Sequence, residues 1–163
     1  MPKKSLFEKF NFEGIKCNVK CVNVYDGDTI TLEVDFRELL KKYYDKGVLD
    51  IINSLPVKHI YLHCRMAGYN SAEISRCSAE EKVVGLDAKK YMTDLILGKE
   101  LWCHFLAKQE GELIKLKTAD PYGRPIIDLY NLTDTGEKNN YINKIMVDTG
   151  HAAPYDGHGE KKY

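Results

Sequence analysis

The segment Val24-Tyr25-Asp26-Gly27-Asp28-Thr29-Ile30-Thr31-Leu32 places the tightest limit on how this chain folds. Outside its acidic turn, apolar and polar residues alternate with the period of a half-buried strand. Asp26 and Asp28 flank Gly27. In extended chain, residues two apart point to one side. A tight glycine turn instead splays them around one point. Either way two anionic oxygens lie close together, which is costly unless a cation lies nearby. Taken alone, Asp-Gly-Asp reads more simply as a turn with solvated carboxylates. Three later segments change that weighting.

A first strand is expected over Lys16–Val24 and a second over Thr29–Val34. Asp35-Phe36-Arg37-Glu38 has the pattern of a capping box, with Asp35 as N-cap and Glu38 at N3. Apolar residues then recur with helical period from Phe36 to Leu55; Gly47 divides the run and Pro56 ends it. This helical insertion, at about 36–56, is expected to pack on the side of a barrel. Val57–Met66 reads as a strand that carries Arg65 into Ala67–Glu73. Ile74–Gly85 is polar and mixed and reads as a mobile loop, helical at most in its second half. Leu86–Leu97 is an amphipathic helix closed by Gly98 at C′. Leu101–Ala107 is a strand, Gly111 a hairpin tip and Leu113–Lys117 the returning strand. Asp120-Pro121-Tyr122-Gly123-Arg124 is a turn that sets Arg124 on its exit. Pro125–Tyr130 is the next strand and Asp134–Lys138 a hairpin tip; Asn140 is expected to cap a short helix, Tyr141–Thr149, ended by Gly150. Short strands with helices between them give an α+β, β-rich class: a small closed β-barrel with packed helices. One domain over 1–163 is expected, with a core at about 15–155, an arm at 1–12 and a tail at 156–163.

The chain has 163 residues, enough for one domain with a real core. No apolar run is long enough to span a membrane, and Met-Pro-Lys-Lys-Ser-Leu lacks a signal peptide's apolar core. Five cysteines form an odd set without a CxxC pair, which argues against a disulfide framework and a structural zinc site. Cys64 and Cys103 read as small core residues. A reducing, intracellular setting follows. With 24 basic and 24 acidic residues, the chain has no global field for polyanions. Contact with nucleic acid therefore requires local basic groups or a metal. A metal set of His151, Asp156 and His158 is a weaker idea, because its Gly-rich setting reads as a floppy tail.

Four polar groups stand at predicted strand ends or turns: the Asp26/Asp28 pair, Arg65, the Asn70–Glu73 segment and Arg124. Each alone has a plain structural reading, as a surface strand residue, a solvated carboxylate or half of an ion pair. Together they suit phosphoryl chemistry. Carboxylates hold a hard, oxygen-loving cation. Two guanidiniums clamp a phosphate bidentately. One further carboxylate orients or deprotonates a water.

The ordered set is Val24 to Thr29, Arg65 with Glu73 eight residues on, Asp120 to Arg124, and Ile142-Asn143 through Gly150-His151-Ala152. In that order the chain resembles the staphylococcal nuclease (thermonuclease) family over roughly residues 15–155, interrupted by the insertion. The resemblance implies a five-stranded OB-fold β-barrel. It also implies a calcium-dependent endonuclease that hydrolyses phosphodiester bonds of DNA and RNA. No membrane partner is expected, and the oligomeric state is left open, with a monomer the first expectation. By position, Asp28 falls at a direct metal ligand and Asp26 in its outer shell. Asn70 falls where the family has a metal-binding Asp, and Ser71 at a Thr whose carbonyl ligates the Ca²⁺. Glu73 falls at the proposed general base, and Arg65 and Arg124 at the two arginines on the scissile phosphate. Tyr122 matches an aromatic near the nucleotide, and Tyr155 a tyrosine that packs against the base. The chain departs from the pattern at Asn70, which removes one ligand charge and should lower calcium affinity. Ala72 stands where the family has a Pro, leaving the loop less pre-set, and the family's long C-terminal helix has no counterpart after Tyr155. The alternative reading is a catalytically inactive OB-fold module that binds nucleic acid or protein. Retention of Asp26, Asp28, Arg65, Glu73 and Arg124 weighs against it, since a binder has no need of that ordered set.

Overall fold

A computed structural model describes residues 12–107, 119–133, 136 and 138–156. In chain order its elements are β1 (Lys16–Val24), β2 (Thr29–Asp35), α1 (Phe36–Tyr43), α2 (Leu49–Ser54), β3 (His59–Met66), β4 (Tyr69–Asn70), α3 (Ala79–Ile96), β5 (Glu100–Phe105), β6 (Ile126–Leu132), β7 (Lys138–Tyr141), α4 (Ile142–Asp148) and β8 (Ala153–Pro154). The protein is α+β and β-rich, as the sequence implies.

Alternation drives the strands. In β1, Cys17, Val19 and Cys21 turn inward while Lys16 and Asn18 face out. A bulge between Cys21 and Asn23 then shifts the register, so Val24 is the next buried residue. β1 pairs antiparallel with β2 on one side and with β5 on the other. β2 pairs with β3 from Thr29 opposite Arg65 to Asp35 opposite His59. β5 pairs with β6, and β6 with β7. A short parallel contact, Arg65 beside Ile126 and Met66 beside Ile127, joins β3 to β6. The hydrogen bonding therefore runs β1-β2-β3-β6-β5 and back to β1, a barrel-like ring. Six strands make up this sheet rather than the five expected. The addition is β7, a polar Lys-Asn-Asn-Tyr strand that hangs on β6 outside the ring and carries no apolar alternation to announce it. The expected hairpin at Gly111 and returning strand Leu113–Lys117 lie outside the described residues, as does most of the Asp134–Lys138 tip.

The ring closes on an apolar interior that includes Ile30, Leu32, Cys64, Leu101, Cys103, Ile127 and Leu129. All five cysteines are free thiols; Cys64 and Cys103 are fully buried, as expected of small core residues. Met92 and Ile96 of α3 and Met146 of α4 extend the core. The insertion forms two helices joined by a 3-10 turn at Lys46–Val48. Asp35 is its N-cap, but its carboxylate accepts from the Arg37 N–H rather than from Glu38, which pairs with Lys41 at 2.7 Å. Among the described residues, no helix is long and apolar enough to cross a membrane.

Two boundaries differ from expectation. α3 starts at Ala79, well before Leu86, because Ser78 caps it: the Ser78 Oγ accepts the Glu81 N–H at 3.1 Å. α4 starts at Ile142 behind Tyr141, which makes no side-chain cap, and Asn140 instead adopts a positive φ of 28°.

Asn143 fixes α4 to the ring. Its Oδ1 accepts the Leu129 N–H at 3.0 Å, and its Nδ2 donates to the carbonyls of Ala67 and Ile127, both at 3.0 Å. Asn143 is buried, so Asn143→Ala strands a backbone donor in the interior. It should destabilise the protein by about 3 kcal/mol, the upper end for one unsatisfied buried group. Urea titration should show a lower midpoint with an unchanged m-value.

Candidate active site

The site forms where β3 leaves β2 and joins β6. Arg65 lies opposite Thr29 on one side and beside Ile126 on the other. Its N–H bonds to the Pro125 carbonyl at 2.9 Å, and the Met66 N–H bonds to that of Asp28 at 2.9 Å. The β1–β2 turn, the end of β3 and the turn before β6 therefore meet. In the first turn the Asp26 Oδ1 accepts the Asp28 N–H at 3.0 Å, an Asx-type closure made by the acid itself. Gly27 is there for space: a Cβ would stand 2.7 Å from the Ser71 Cβ and 3.0 Å from the Ala88 Cβ. Tyr69 donates its hydroxyl to the Gly27 carbonyl at 2.8 Å and pins the turn from below.

Arg65 Nη1 donates to Asp28 Oδ1 at 2.9 Å and Nη2 to Asn70 Oδ1 at 2.7 Å. Asp28 Oδ1 also accepts from the Thr29 hydroxyl at 3.0 Å, and Oδ2 from the Ser71 N–H at 3.0 Å. Arg124 is held differently. Its Nε donates to Asp120 Oδ2 at 2.5 Å and its Nη1 to the Thr29 hydroxyl at 3.1 Å. Asp120 Oδ1 accepts the backbone N–H of Tyr122 and of Arg124, at 3.0 and 2.9 Å. Gly123 completes this turn at φ +78°, a conformation that favours glycine. The Tyr122 ring is 85% exposed and lies 5.5 Å from the Arg124 guanidinium. The Thr29 hydroxyl thus joins Arg124 to Asp28 Oδ1, the same oxygen that accepts from Arg65 Nη1.

An open cleft of about 810 Å³ is lined by Asp26, Asp28, Arg65, Glu73, Tyr122 and Arg124, with Tyr25, Thr29, Ser75 and Arg76. Most of the expected site residues are therefore brought together. Asn70 and Ser71 are buried and do not line the cleft; Asn70 meets it through Arg65. Tyr155 is not in the lining. It follows β8, which pairs with β4, and its N–H bonds to the Gly68 carbonyl at 2.9 Å. His151 stacks on Tyr91 at 4.0 Å and lies 3.4 Å from Asp87, while His158 falls outside the described residues. Thr29, Asp120 and Arg76 were not among the candidates. The Asp-Pro-x-Gly-Arg turn carried a signal for Asp120, whereas Thr29 and Arg76 carried none.

Burial, and then the neighbouring Asp28, push the Asp26 carboxyl from the usual 3.8 up to about 6. Among the described residues, no three His, Cys, Asp or Glu side chains converge as a metal cage. Asp26 and Asp28 offer carboxylate oxygens of the kind that Ca²⁺ prefers, while Asp28 Oδ1 and Asn70 Oδ1 accept from Arg65 and the Ser71 carbonyl accepts from Asn70 Nδ2.

No protein-family model matches this chain, and no curated protein matches it.

The raised Asp26 value fixes the sign of a pH effect. Between the unfolded value and about 6 the folded protein holds a proton that the unfolded chain releases, so stability falls as pH rises through that window. Above it the loss is roughly 3 kcal/mol. Asp26→Asn keeps the acceptor and removes the charge. In EGTA it should raise the melting temperature near neutral pH, and the gain should fade by about pH 4. An equal shift at both pH values would refute this electrostatic account.

Proposed function

We propose that this chain is a metal-dependent phosphodiester hydrolase built on an OB-fold barrel, an endonuclease of the staphylococcal nuclease type that cleaves DNA and RNA. One observation carries the reading: Arg65, Arg124, Glu73 and the Asp26/Asp28 pair come from four separate segments and line a single cleft. A structural ion-pair cluster would not need an open, 810 Å³ space beside it.

Each residue then has a role. A guanidinium has five N–H donors, and acceptors among the described residues take two from Arg65 and two from Arg124. The remaining donors are left for the oxygens of a scissile phosphate, whose charge grows in the transition state. Asp120 and Thr29 hold Arg124 in place before substrate arrives, so little reorganisation is needed. Glu73 positions or deprotonates the attacking water. Its own backbone N–H is tied to Glu81 Oε1 at 3.2 Å, which fixes it against α3. Asp28, the Asn70 amide oxygen and the Ser71 carbonyl would hold Ca²⁺, with Asp26 outside them; when bound, the ion supplies Lewis-acid polarisation of a phosphodiester oxygen. Tyr122 offers an exposed ring against the nucleotide. The chain has no net charge, so substrate attraction is local to the cleft.

The purified chain should cleave single-stranded and duplex DNA, and RNA, in calcium and not in EGTA. Arg124→Ala should lower turnover by about 10²-fold, the scale for one preorganised donor, and Glu73→Ser should lower it as well. Cleavage that survives both substitutions would disprove the assignment.

A second reading has its own observation. Arg65 already places a cation on Asp28 Oδ1 and Asn70 Oδ1, which favours an inactive OB-fold module that binds single strands. Asn70→Asp separates the two. In a hydrolase it should lower the calcium concentration needed for half-maximal cleavage, because ligand charge tunes affinity. In an inactive module, strand binding should be kept and no divalent ion should support cleavage.

A further inference from the structure

The segment between Glu73 and α3 holds an arginine whose backbone is out of keeping with its side chain. Arg76 has a φ of 56°, and Asn140 is the other non-glycine residue with positive φ among the described residues. Asparagine tolerates the left-handed region; arginine sits there only at a cost that glycine would not incur. The segment is not slack. The Cys77 thiol donates to the Glu73 carbonyl at 3.2 Å, and Ser78 caps α3 directly behind. Gly85 lets the carbonyls of Glu73 and Ala72 lie 2.6 and 2.8 Å from where a Cβ would stand. Both ends of the turn are therefore anchored, and the conformation of Arg76 is imposed between them.

Arg76 lines the cleft together with Arg65 and Arg124. Those two are engaged, with Asp28 and Asn70 in one case and with Asp120 and Thr29 in the other. Arg76 is exposed and has no ion-pair or hydrogen-bond partner among the described residues. A guanidinium presented on a strained, anchored turn, with no direct ion-pair or hydrogen-bond partner among the described residues, is suited to an anion that arrives with the substrate. In a chain with no net charge, one well-placed cation carries a large share of the attraction for a polyanion. Building on the phosphodiesterase reading above, we propose that Arg76 grips an internucleotide phosphate next to the scissile one. The cleft thereby selects a strand over an isolated phosphodiester.

The test uses the full chain, Arg76→Gly, and an oligonucleotide in which an uncharged methylphosphonate replaces the phosphate on either side of the scissile bond. Wild type should lose about tenfold in kcat/KM when one flanking phosphate is neutralised, the scale of a charged hydrogen bond. Arg76→Gly should raise KM for the unmodified strand by a similar factor and become indifferent to that methylphosphonate. The log–log salt slope of strand binding should shrink by about 0.7, the loss of one phosphate contact on a single strand. The variant should melt no lower than wild type, because glycine relaxes the positive φ. A variant that keeps the wild-type sensitivity to the methylphosphonate, or that loses kcat at constant KM, overturns the inference. So does a variant with lowered melting and equal loss on every substrate. If wild type cleaves no strand, modified or not, the hydrolase reading fails first and this one falls with it.

Discussion

The two-residue parallel contact between β3 and β6 is the constraint on which the rest depends. It turns a sheet with edges into a ring, and a ring presents no open row of N–H and C=O groups at that seam. To make it, Arg65 must pair with β2 and β6 at once. That brings the ends of three segments, distant in sequence, to one point of the barrel. Polar residues placed at strand ends and turns then become neighbours without any further device. The cost is a poorly hydrated ion pair: the side chains of Arg65 and Asp28 are only 13% and 6% exposed. A buried pair is tolerable when its remaining donors and acceptors are satisfied. Thr29, Asn70 and the Ser71 N–H do this here.

Charge in the cleft is nearly balanced but unevenly held. Asp26, Asp28 and Glu73 face Arg65, Arg76 and Arg124. Asp28 receives several donors, whereas Asp26 is crowded by burial and by its neighbour. An arrangement optimised for stability alone would replace one of these carboxylates. Its presence fits the general pattern in which perturbed ionisation gathers at functional sites, and agrees with the cation proposed above.

Much of the fold was legible because its signals are local. Asp35 as a cap, Gly98 and Gly150 as helix stops, and Cys64 and Cys103 as core residues each follow from a residue type and its immediate neighbours. Arg65, Glu73 and Arg124 could be picked out because strand ends and a Pro-Gly turn flank them. What was missed is non-local or masked by polarity. Ser78 and Glu81 form the start of α3, but a run of charged residues reads as a loop when the burying partner, the Ala72–Glu73 backbone against Gly85, is unknown. β7 has no alternation, so only its pairing with β6 makes it a strand. The placement of Asn70 behind Arg65, rather than in the cleft, depends on the closure of the ring. Tyr155 sits away from the cleft because β8 is claimed by β4.

That last pairing bears on how the molecule is made. Tyr69 and Asn70 find their strand partners only at Ala153 and Pro154, and contacts so far apart in sequence are slow to form. During synthesis, the β1–β2 hairpin and β3 can associate while the strand that holds Asn70 still has an open edge. The strand pairing that holds Asn70, whose Oδ1 accepts from Arg65, can therefore form only once residues 153 and 154 have been made.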